Sequence, residues 1–227
     1  MAGTAKANTR KLKVAVLISG RGSNLQAIIE ACARDDFPAQ IVGVIANVAS
    51  AKGLVRARHA GLQAQTVAHR DFASRDAFED ALHDALKAID AELVCLAGFM
   101  RILSPGFVTR WRDRLVNIHP SLLPAFKGLH THERALEAGV RFTGCTVHFV
   151  RAETDDGPII IQAVVPVAAG DTVKSLAARV LAEEHRIYPE AIRLIAMGQV
   201  KVMGRRVAIS GAGVLPPALC NPPCGAS

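Results

Sequence analysis

The segment from Asn117 to Pro124, Asn-Ile-His-Pro-Ser-Leu-Leu-Pro, carries the residue types and spacing best suited to catalysis. It follows Leu115-Val116, which predicts the end of a buried strand, and ligands of open α/β sheets bind beyond the carboxyl ends of the strands. Asn117 and His119 are two residues apart on an extended segment, so their side chains leave on the same side. An amide donor and an imidazole can then converge on one small polar atom. The alternative is a strand end with a capping Asn and a hydrogen-bonded structural His.

A second candidate site is the loop Ser-Gly-Arg-Gly-Ser-Asn at 19–24. It joins a continuous apolar run at 13–18, typical of a strand covered on both faces, to a helical pattern at 25–33. Backbone N–H groups and the positive helix end would face an anion there, phosphate first among them, and a plain tight turn is the alternative. A dinucleotide site would need a third glycine near position 25 and an acidic residue after the second strand. Leu25 and Asn47 stand at those places, which disfavours NAD.

The elements that must position these segments alternate along the first half of the chain. Strand patterns at 41–46, 65–68 and 92–97 alternate with helical patterns at 53–60, after Ser74 and after Ser104-Pro105. Two strands at 143–150 and 158–165, a long helix from Thr172 to about Ala196 and a hairpin at 200–209 follow. The pattern predicts an α/β fold: a mostly parallel twisted sheet with helices on both faces and an antiparallel C-terminal addition.

Two predicted loops could complete a ligand-binding site. In Gly98–Pro105, apolar residues continue past the end of a predicted strand. They could belong to the core or form the wall of a ligand pocket. The turn Arg151–Pro158 holds the adjacent carboxylates Asp155 and Asp156, and a solvated hairpin is its alternative reading. His130-Thr131-His132 lacks a cysteine or carboxylate cluster nearby, so no metal site is predicted.

Length and composition favour one globular domain. The 227 residues are 50% hydrophobic and 21% charged, without a disorder signature. Apolar stretches are too short for a transmembrane helix or a signal peptide, so a cytoplasmic protein is expected. We predict a disordered extension at 1–12, a domain at 13–210 and a mobile tail at 211–227. Cys32 and Cys95 fall in apolar segments and are predicted to be buried thiols.

The net charge of +7 favours anionic partners. Eight Phe, one Trp and one Tyr do not alternate with basic residues, so stacking recognition of nucleic acid is weakly supported. Phosphorylated or polycarboxylate small molecules are the better candidates.

Together these segments resemble the folate-dependent formyltransferase family, and within it the members that act on glycinamide ribonucleotide. The resemblance runs from about Lys13 to Val202. It rests on the glycine loop with its flanks at 18–29, on 96–105, on 117–124, on Gly-Leu-His-Thr-His at 128–132, on Thr-Val-His-Phe-Val at 146–150, and on Asp155 before Gly157-Pro158. The Asn-x-His-x-Ser-Leu-Leu-Pro element is shared by the wider family, and the glycine loop narrows the choice.

The resemblance implies a Rossmann-like formyltransferase fold and transfer of a formyl group from 10-formyltetrahydrofolate to glycinamide ribonucleotide, without metal, by a monomer or homodimer. It assigns catalysis to Asn117, His119 and Asp155. The substrate-binding residues would be Gly22, Ser23, Asn24 and Glu184, and the folate-binding residues Arg75, Met100, Arg101, Ile102, Leu103, Asn117, Arg151, Ala152, Glu153, Thr154 and Asp155. The family usually has Gly after the catalytic Asp, whereas Asp156 stands here. Loop shape and charge beside Asp155 are therefore expected to differ.

The residue chemistry agrees with that assignment. Formyl transfer to an amine passes through a tetrahedral oxyanion, which needs donors where the charge develops. Asn117 and a protonated His119 can donate, and a carboxylate such as Asp155 would favour the charged imidazole and could pass protons through water. Two alternatives stay open: a formyltetrahydrofolate hydrolase, which would not need the glycine loop, and a non-catalytic nucleotide- or RNA-binding module, which would need neither Asn117 nor Asp155.

Overall fold

A computed structural model of the chain describes residues 10–211, 213 and 218–222. A seven-stranded sheet in the order β3-β2-β1-β4-β5-β6-β7 forms its centre, and β8 and β9 form a separate hairpin. Strands β1 to β5 are parallel to one another, whereas β6 is antiparallel to β5 and β7 is antiparallel to β6. The strands are β1 Leu12–Ile18, β2 Ala39–Ala46, β3 Ala64–Thr66, β4 Leu93–Leu96, β5 Leu115–His119, β6 Phe142–Phe149, β7 Ile159–Pro166, β8 Val200–Met203 and β9 Arg206–Ile209.

Six α-helices cover the two faces of the sheet within the described residues. Helices α1, α2 and α6 pack on one face, where α5 contacts α6, and α3 and α4 pack on the other, so the hydrophobic core is split into two clusters by the sheet. The helices are α1 Ser23–Cys32, α2 Gly53–His59, α3 Arg75–Ala88, α4 Pro105–Arg110, α5 Thr131–Glu137 and α6 Val173–Ala196, with a 3₁₀ turn at His69–Asp71. The predicted α/β class, with its antiparallel addition, is confirmed.

The helix caps and the apolar strand pattern expected from the sequence are found at the same residues in the structure. Ser74, Ser104 and Thr172 each accept a hydrogen bond from the third residue of the helix they precede, which satisfies an otherwise unpaired N–H group. Pro105 occupies the first turn of α4, where its missing N–H group is tolerated. The central strand β1 is apolar throughout its buried part, Val14–Ile18, because both faces are covered.

Several boundaries differ from the prediction. β1 begins at Leu12, which pairs with Ala39, so the first strand starts one residue before the expected start at Lys13. β5 extends through His119, because Asn117 and His119 pair with β6. Cys95 is buried as predicted, but Cys32 is only partly buried because it ends α1. Residues 1–9, 212, 214–217 and 223–227, to which the remaining predictions for the termini refer, lie outside the described residues.

The topology gathers the predicted site at one edge of the sheet. The chain runs outward from β1 to β2 and β3, then returns to β4 on the other side of β1. Such a reversal of strand order opens a crevice at the carboxyl ends of the two central strands. The glycine loop follows β1, the 97–104 loop follows β4, and Asn117 and His119 end β5. Within the described residues no helix is long and apolar enough to cross a bilayer.

Candidate active site

Asn117, His119 and Asp155 meet beyond the end of β5. His119 Nδ1 lies 3.3 Å from Asp155 Oδ2, and both side chains are largely shielded from solvent. Asn117 Nδ2 lies 3.3 Å from the Nε2 atom of His148, and that atom is 3.8 Å from Asp155 Oδ1. The structure thus assembles the three residues from β5 and from the turn after β6 into one polar cluster, with His148 as a fourth member.

Both ring nitrogens of His119 face acceptors. Nε2 lies 3.0 Å from the carbonyl oxygen of Phe126, and Nδ1 faces the carboxylate of Asp155. A carbonyl can only accept, so Nε2 donates to Phe126, and Nδ1 makes a close contact with the carboxylate. The two acceptors lie on opposite sides of the ring and fix its plane.

His148 differs in its surroundings. Its Nδ1 atom lies 3.1 Å from the carbonyl oxygen of Phe149, so Nδ1 is assigned the proton and Nε2 can accept from Asn117. Burial lowers the pKa of His148; the Phe149 carbonyl and Asp155 oppose this shift, and His119 and Arg151 reinforce it. A neutral ring thus orients the amide of Asn117. An amide has two N–H groups, so the other can still be donated to a substrate oxygen.

The 126–128 loop holds this cluster from the other side. Gly128 N–H donates to Asp155 Oδ2 over 2.8 Å, in addition to the contact of Phe126 with His119. Phe126 and Asp155 both have a φ of 52°, a left-handed conformation that is uncommon for Asp and a genuine outlier for Phe. Arg134 steadies the loop, because its guanidinium donates to the Lys127 carbonyl over 2.6 Å and lies over the Phe126 ring.

The glycine loop packs tightly against the start of α2. Gly22 precedes α1 with a φ of 72°, and a Cβ atom there would lie 2.8 Å from the Cα atom of Gly53. Gly53 N–H donates to the Gly20 carbonyl over 3.0 Å, and Arg56 Nε donates to the Arg21 carbonyl over 3.0 Å. The backbone is thus fixed with the first turn of α1 at its end, an arrangement able to bind a phosphate.

Glu184 meets this loop from α6. Asn24 Nδ2 donates to Glu184 Oε2 over 2.7 Å, although 160 residues separate the two along the chain. Glu184 is only 7% exposed, and burial raises its pKa while the hydrogen bond from Asn24 acts in the opposite direction. The Asn24 Oδ1 atom is buried without a hydrogen-bond partner in the described part of the chain. The structure therefore joins two of the predicted substrate-binding residues at the start of α1, where Ser23 begins the helix.

The loop after β4 presents apolar side chains to solvent. Met100 and Ile102 are each 71% exposed, whereas Phe99 and Leu103 are buried. Exposed apolar side chains on a fixed backbone suit the face of a flat ring. The neighbouring Arg101 guanidinium lies 5.5 Å from the centre of the Phe78 ring.

Hydrogen bonds involving Glu79, Arg75 and Ser19 fix that loop to its surroundings. Glu79 accepts from Ser104 N over 2.7 Å and from Arg75 Nε over 3.2 Å. Arg75 also donates to the Ile102 carbonyl over 2.6 Å. Ser19 accepts from Met100 N over 2.8 Å, which links this loop to the glycine loop. The two predicted ligand loops are therefore one connected structure.

The 151–157 turn completes the site. Arg151 is ion-paired with Asp113 over 2.5 Å, and Ala152, Glu153 and Thr154 are exposed. Gly157 closes the turn because a Cβ atom there would lie 1.6 Å from the Phe149 carbonyl oxygen. No group of three or more His, Cys, Asp or Glu side chains in the described ranges could hold a metal ion.

The sequence reasoning missed the supporting residues. His148 lies within the Thr-Val-His-Phe-Val segment, and its alternation places it on the same side as Thr146, but only the pairing of β5 with β6 sets it opposite Asn117. In the sequence, Glu79 is one of several polar residues of α3. In the structure it is 96% buried and accepts hydrogen bonds from Ser104 and Arg75. The contacts made by Phe126 and Gly128 carry no sequence signal, since they come from the backbone.

Comparison with known proteins shows to which family this chain belongs. The family model described as formyl transferase matches residues 12–192. Phosphoribosylglycinamide formyltransferase of Escherichia coli is 48% identical over 206 residues, which cover 91% of this chain and 97% of that protein. The trifunctional purine biosynthetic protein adenosine-3 of Gallus gallus is 51% identical, and the match spans 87% of this chain but only 20% of that protein. The crystal structure of glycinamide ribonucleotide transformylase 1 from Symbiobacterium toebii superposes with a TM-score of 0.87 at 51% identity, covering 91% of this chain and 98% of that one. The chain belongs to the formyl transferase family.

Proposed function

We propose that this chain transfers the formyl group of 10-formyltetrahydrofolate to the amine of glycinamide ribonucleotide, as the names of its relatives in Escherichia coli and Symbiobacterium toebii suggest. The observation that carries the proposal is the convergence of Asn117, His119 and Asp155 at the sheet edge that also bears the two ligand loops. Both substrates would be small anionic molecules, in keeping with the net charge of +7.

The ribonucleotide would place its phosphate at the start of α1, against Gly22, Ser23 and Asn24, with Glu184 towards the ribose. The first N–H groups of a helix and its positive end suit an anion. Glu184 already accepts from Asn24, and its second carboxylate oxygen is available to accept from a hydroxyl.

The folate would lie between the loop after β4 and the 151–157 turn. Met100 and Ile102 would contact the ring, with Arg101, Leu103 and Arg75 as the surrounding wall. Arg151, Ala152, Glu153, Thr154 and Asp155 would close the opposite side. The exposed apolar side chains of the loop and the polar side chains of the turn support this placement, since a reduced pterin is flat, with polar atoms along its edge.

The reaction would then proceed by direct attack. The amine nitrogen forms a bond to the formyl carbon, the carbonyl oxygen becomes an oxyanion, and the bond from carbon to N10 of the folate breaks. Asn117 and His119 would donate to the oxyanion. For His119 this requires sharing or releasing its contact with the Phe126 carbonyl. Asp155 would balance the imidazolium and pass the proton from the amine to N10 through water.

The test uses the purified full chain with 10-formyltetrahydrofolate in the presence and absence of glycinamide ribonucleotide. We expect release of tetrahydrofolate that depends on the ribonucleotide, with formylated ribonucleotide as the product. Formate release at the same rate without the ribonucleotide would identify a hydrolase instead, and absence of both products would leave a nucleotide-binding module.

The cellular context of this function is part of the same proposal. We infer that the enzyme acts in the cytoplasm, as a monomer or homodimer, on small molecules and without nucleic acid. The ordinary composition and the lack of alternating basic and aromatic residues support the last point.

A further inference from the structure

The carboxylate of Asp156 forms a bridge between two cations from distant parts of the chain. One oxygen is ion-paired with Lys127 Nζ, and the other accepts from Arg205 Nη2 over 2.8 Å. The Asp156 side chain is only 21% exposed, and hydrogen bonds from Lys127 and Arg205 lower its pKa. Asp156 is thus a charged, doubly paired residue directly next to Asp155.

Lys127 occupies the middle of the loop that holds the catalytic cluster. The residue before it, Phe126, contacts His119 Nε2 through its carbonyl oxygen, and the residue after it, Gly128, donates to Asp155 Oδ2. Three consecutive residues therefore each hold a different side chain of the site. Any shift of Lys127 would be transmitted to both neighbours through the backbone.

The loop needs such support because its conformation is unfavourable. The φ of 52° at Phe126 and at Asp155 persists only where surrounding contacts over-determine it. Arg134 supports one side of the loop through the Lys127 carbonyl. The side chain of Lys127 is tied to Asp156, and this contact joins the two strained segments alongside the hydrogen bond from Gly128 N–H to Asp155.

Arg205 extends the bridge to the C-terminal hairpin. It lies in the turn between β8 and β9, and the same hairpin lines a cavity of about 420 Å³ together with Leu123, Asp155 and Asp156. A glycine at position 156 could not form this bridge, since it has no side chain. The hairpin is thus linked to the site through the side chain of Asp156.

We propose that Asp156 is a positioning residue, which through Lys127 and Arg205 fixes the 126–128 loop and so holds His119 and Asp155 in their reactive arrangement. It touches no substrate and acts only through these neighbours. The inference rests on the proposed function, since it assigns to Asp156 a part in that reaction. A purely structural surface ion pair would instead contribute modestly to stability and leave the reaction unchanged.

The test measures kcat and both KM values of the full chain with Asp156→Asn and with Arg205→Gln. Asp156→Asn keeps the shape but removes the charge, and we expect kcat to fall about tenfold or more because small displacements of reacting groups are costly. KM for glycinamide ribonucleotide should stay within about twofold, since the glycine loop is separate from the bridge. Arg205→Gln should lower kcat less, and the double variant should not multiply the two losses.

Arg206→Gln provides the matched control. Arg206 is exposed on the same hairpin, carries the same charge and, within the described residues, forms no ion pair. It should leave kcat unchanged. Equal losses for Arg205→Gln and Arg206→Gln, or an unaltered kcat in Asp156→Asn with a lowered midpoint of urea unfolding, would overturn the proposal.

Amide hydrogen exchange separates this inference from the proposed function. If the wild-type chain transfers no formyl group, the proposed function fails, and exchange in 126–128 and 151–157 still reports on the bridge. We expect faster exchange in both segments of Asp156→Asn and none of this change in Arg206→Gln. Unchanged exchange in 126–128 would show that Asp156 does not fix the loop, whatever the activity.

Discussion

At the scale of single residues, the site depends on how acceptors are arranged around two imidazoles. His119 faces two acceptors, whereas burial lowers the pKa of His148, whose Nδ1 atom faces a carbonyl. In the proposed reaction His119 would donate to the developing oxyanion, and the neutral ring of His148 would orient Asn117 by accepting its amide hydrogen. Two chemically identical side chains would thus take different roles because of their neighbours.

The coupling of His119 to Asp155 predicts non-additive losses. Asp155→Asn removes the partner charge but keeps the shape, and we expect kcat to fall by about 10²- to 10⁴-fold. His119→Ala should cost a similar amount, and the double variant far less than the product of the two, because residues that act as a unit are not additive. A double-mutant cycle on kcat measures this. Losses that multiply fully would mean that the two residues work separately.

Burial of His148 predicts a loss of stability on acidification. Its pKa is lowered in the folded chain, so below about 6.5 the unfolded chain binds a proton that the folded chain does not. The free energy of unfolding should then fall by up to about 1.4 kcal/mol per pH unit for this group. His148→Gln should remove that part of the pH dependence between pH 7.5 and 5.5 in urea unfolding.

His59→Gln is the control for this measurement, because His59 is exposed at the end of α2. It should leave the pH dependence unchanged. Burial also lowers the pKa of His132 and His185, so a residual dependence should remain in His148→Gln. A slope identical to that of the wild type would contradict the assigned role of burial.

At the scale of elements, the close packing of the glycine loop on α2 predicts a selective binding defect. A Cβ atom at Gly22 would meet the backbone of Gly53, so Gly22→Ala should displace the loop and raise KM for the ribonucleotide more than KM for the folate. Gly61 has nearly the same φ, 70° against 72°, but nothing lies within 4 Å of its Cβ position. Gly61→Ala therefore controls for backbone strain. Equal increases of both KM values in Gly22→Ala would indicate a general folding defect.

The exposed apolar side chains of the loop after β4 predict a binding defect that is selective for the folate. Met100→Ser and Ile102→Ser remove the exposed apolar contacts, so each should raise KM for the folate several-fold, about 1 kcal/mol per lost contact face, without lowering the unfolding free energy. Met197→Ser is the control, since Met197 is 56% exposed at the end of α6. An increase of folate KM in Met197→Ser as large as in the loop variants would argue against this binding face.

Elements also show what the sequence can and cannot predict. Apolar runs and caps such as Ser74, Ser104 and Thr172 are local signals, so the order and type of the elements follow from them. The hydrogen bond between Asn24 and Glu184 joins residues that are 160 positions apart. Before the structure, only the resemblance to a known family could place both residues in one site. His148 and the 126–128 loop required the structure, because strand register and backbone contacts have no counterpart in residue type.

At the scale of the whole molecule, the long helix α6 connects the edge of the sheet that bears the candidate site to the core. Glu184 projects from it to the glycine loop, and one turn later Tyr188 is fully buried beneath the sheet. The Tyr188 hydroxyl lies 3.0 Å from the Leu96 carbonyl and 3.2 Å from the Val116 carbonyl. These carbonyls belong to β4 and β5, the strands whose ends carry the 97–104 loop and the pair Asn117 and His119. One hydroxyl thus ties both strands to the helix.

Removal of this hydroxyl predicts a global loss of stability. Tyr188→Phe keeps the ring but leaves two buried carbonyls without that donor, which should lower the free energy of unfolding by about 1–3 kcal/mol. The slope of unfolding free energy against urea should not change, because the same surface is exposed on unfolding. Urea unfolding followed by circular dichroism measures both quantities.

Val173→Thr, at the exposed first position of α6, is the control for a change in the same helix and should alter stability by less than about 0.5 kcal/mol. If Tyr188→Phe were equally neutral, the hydroxyl would not hold α6 to the two strands, and shape complementarity of the ring alone would account for its burial.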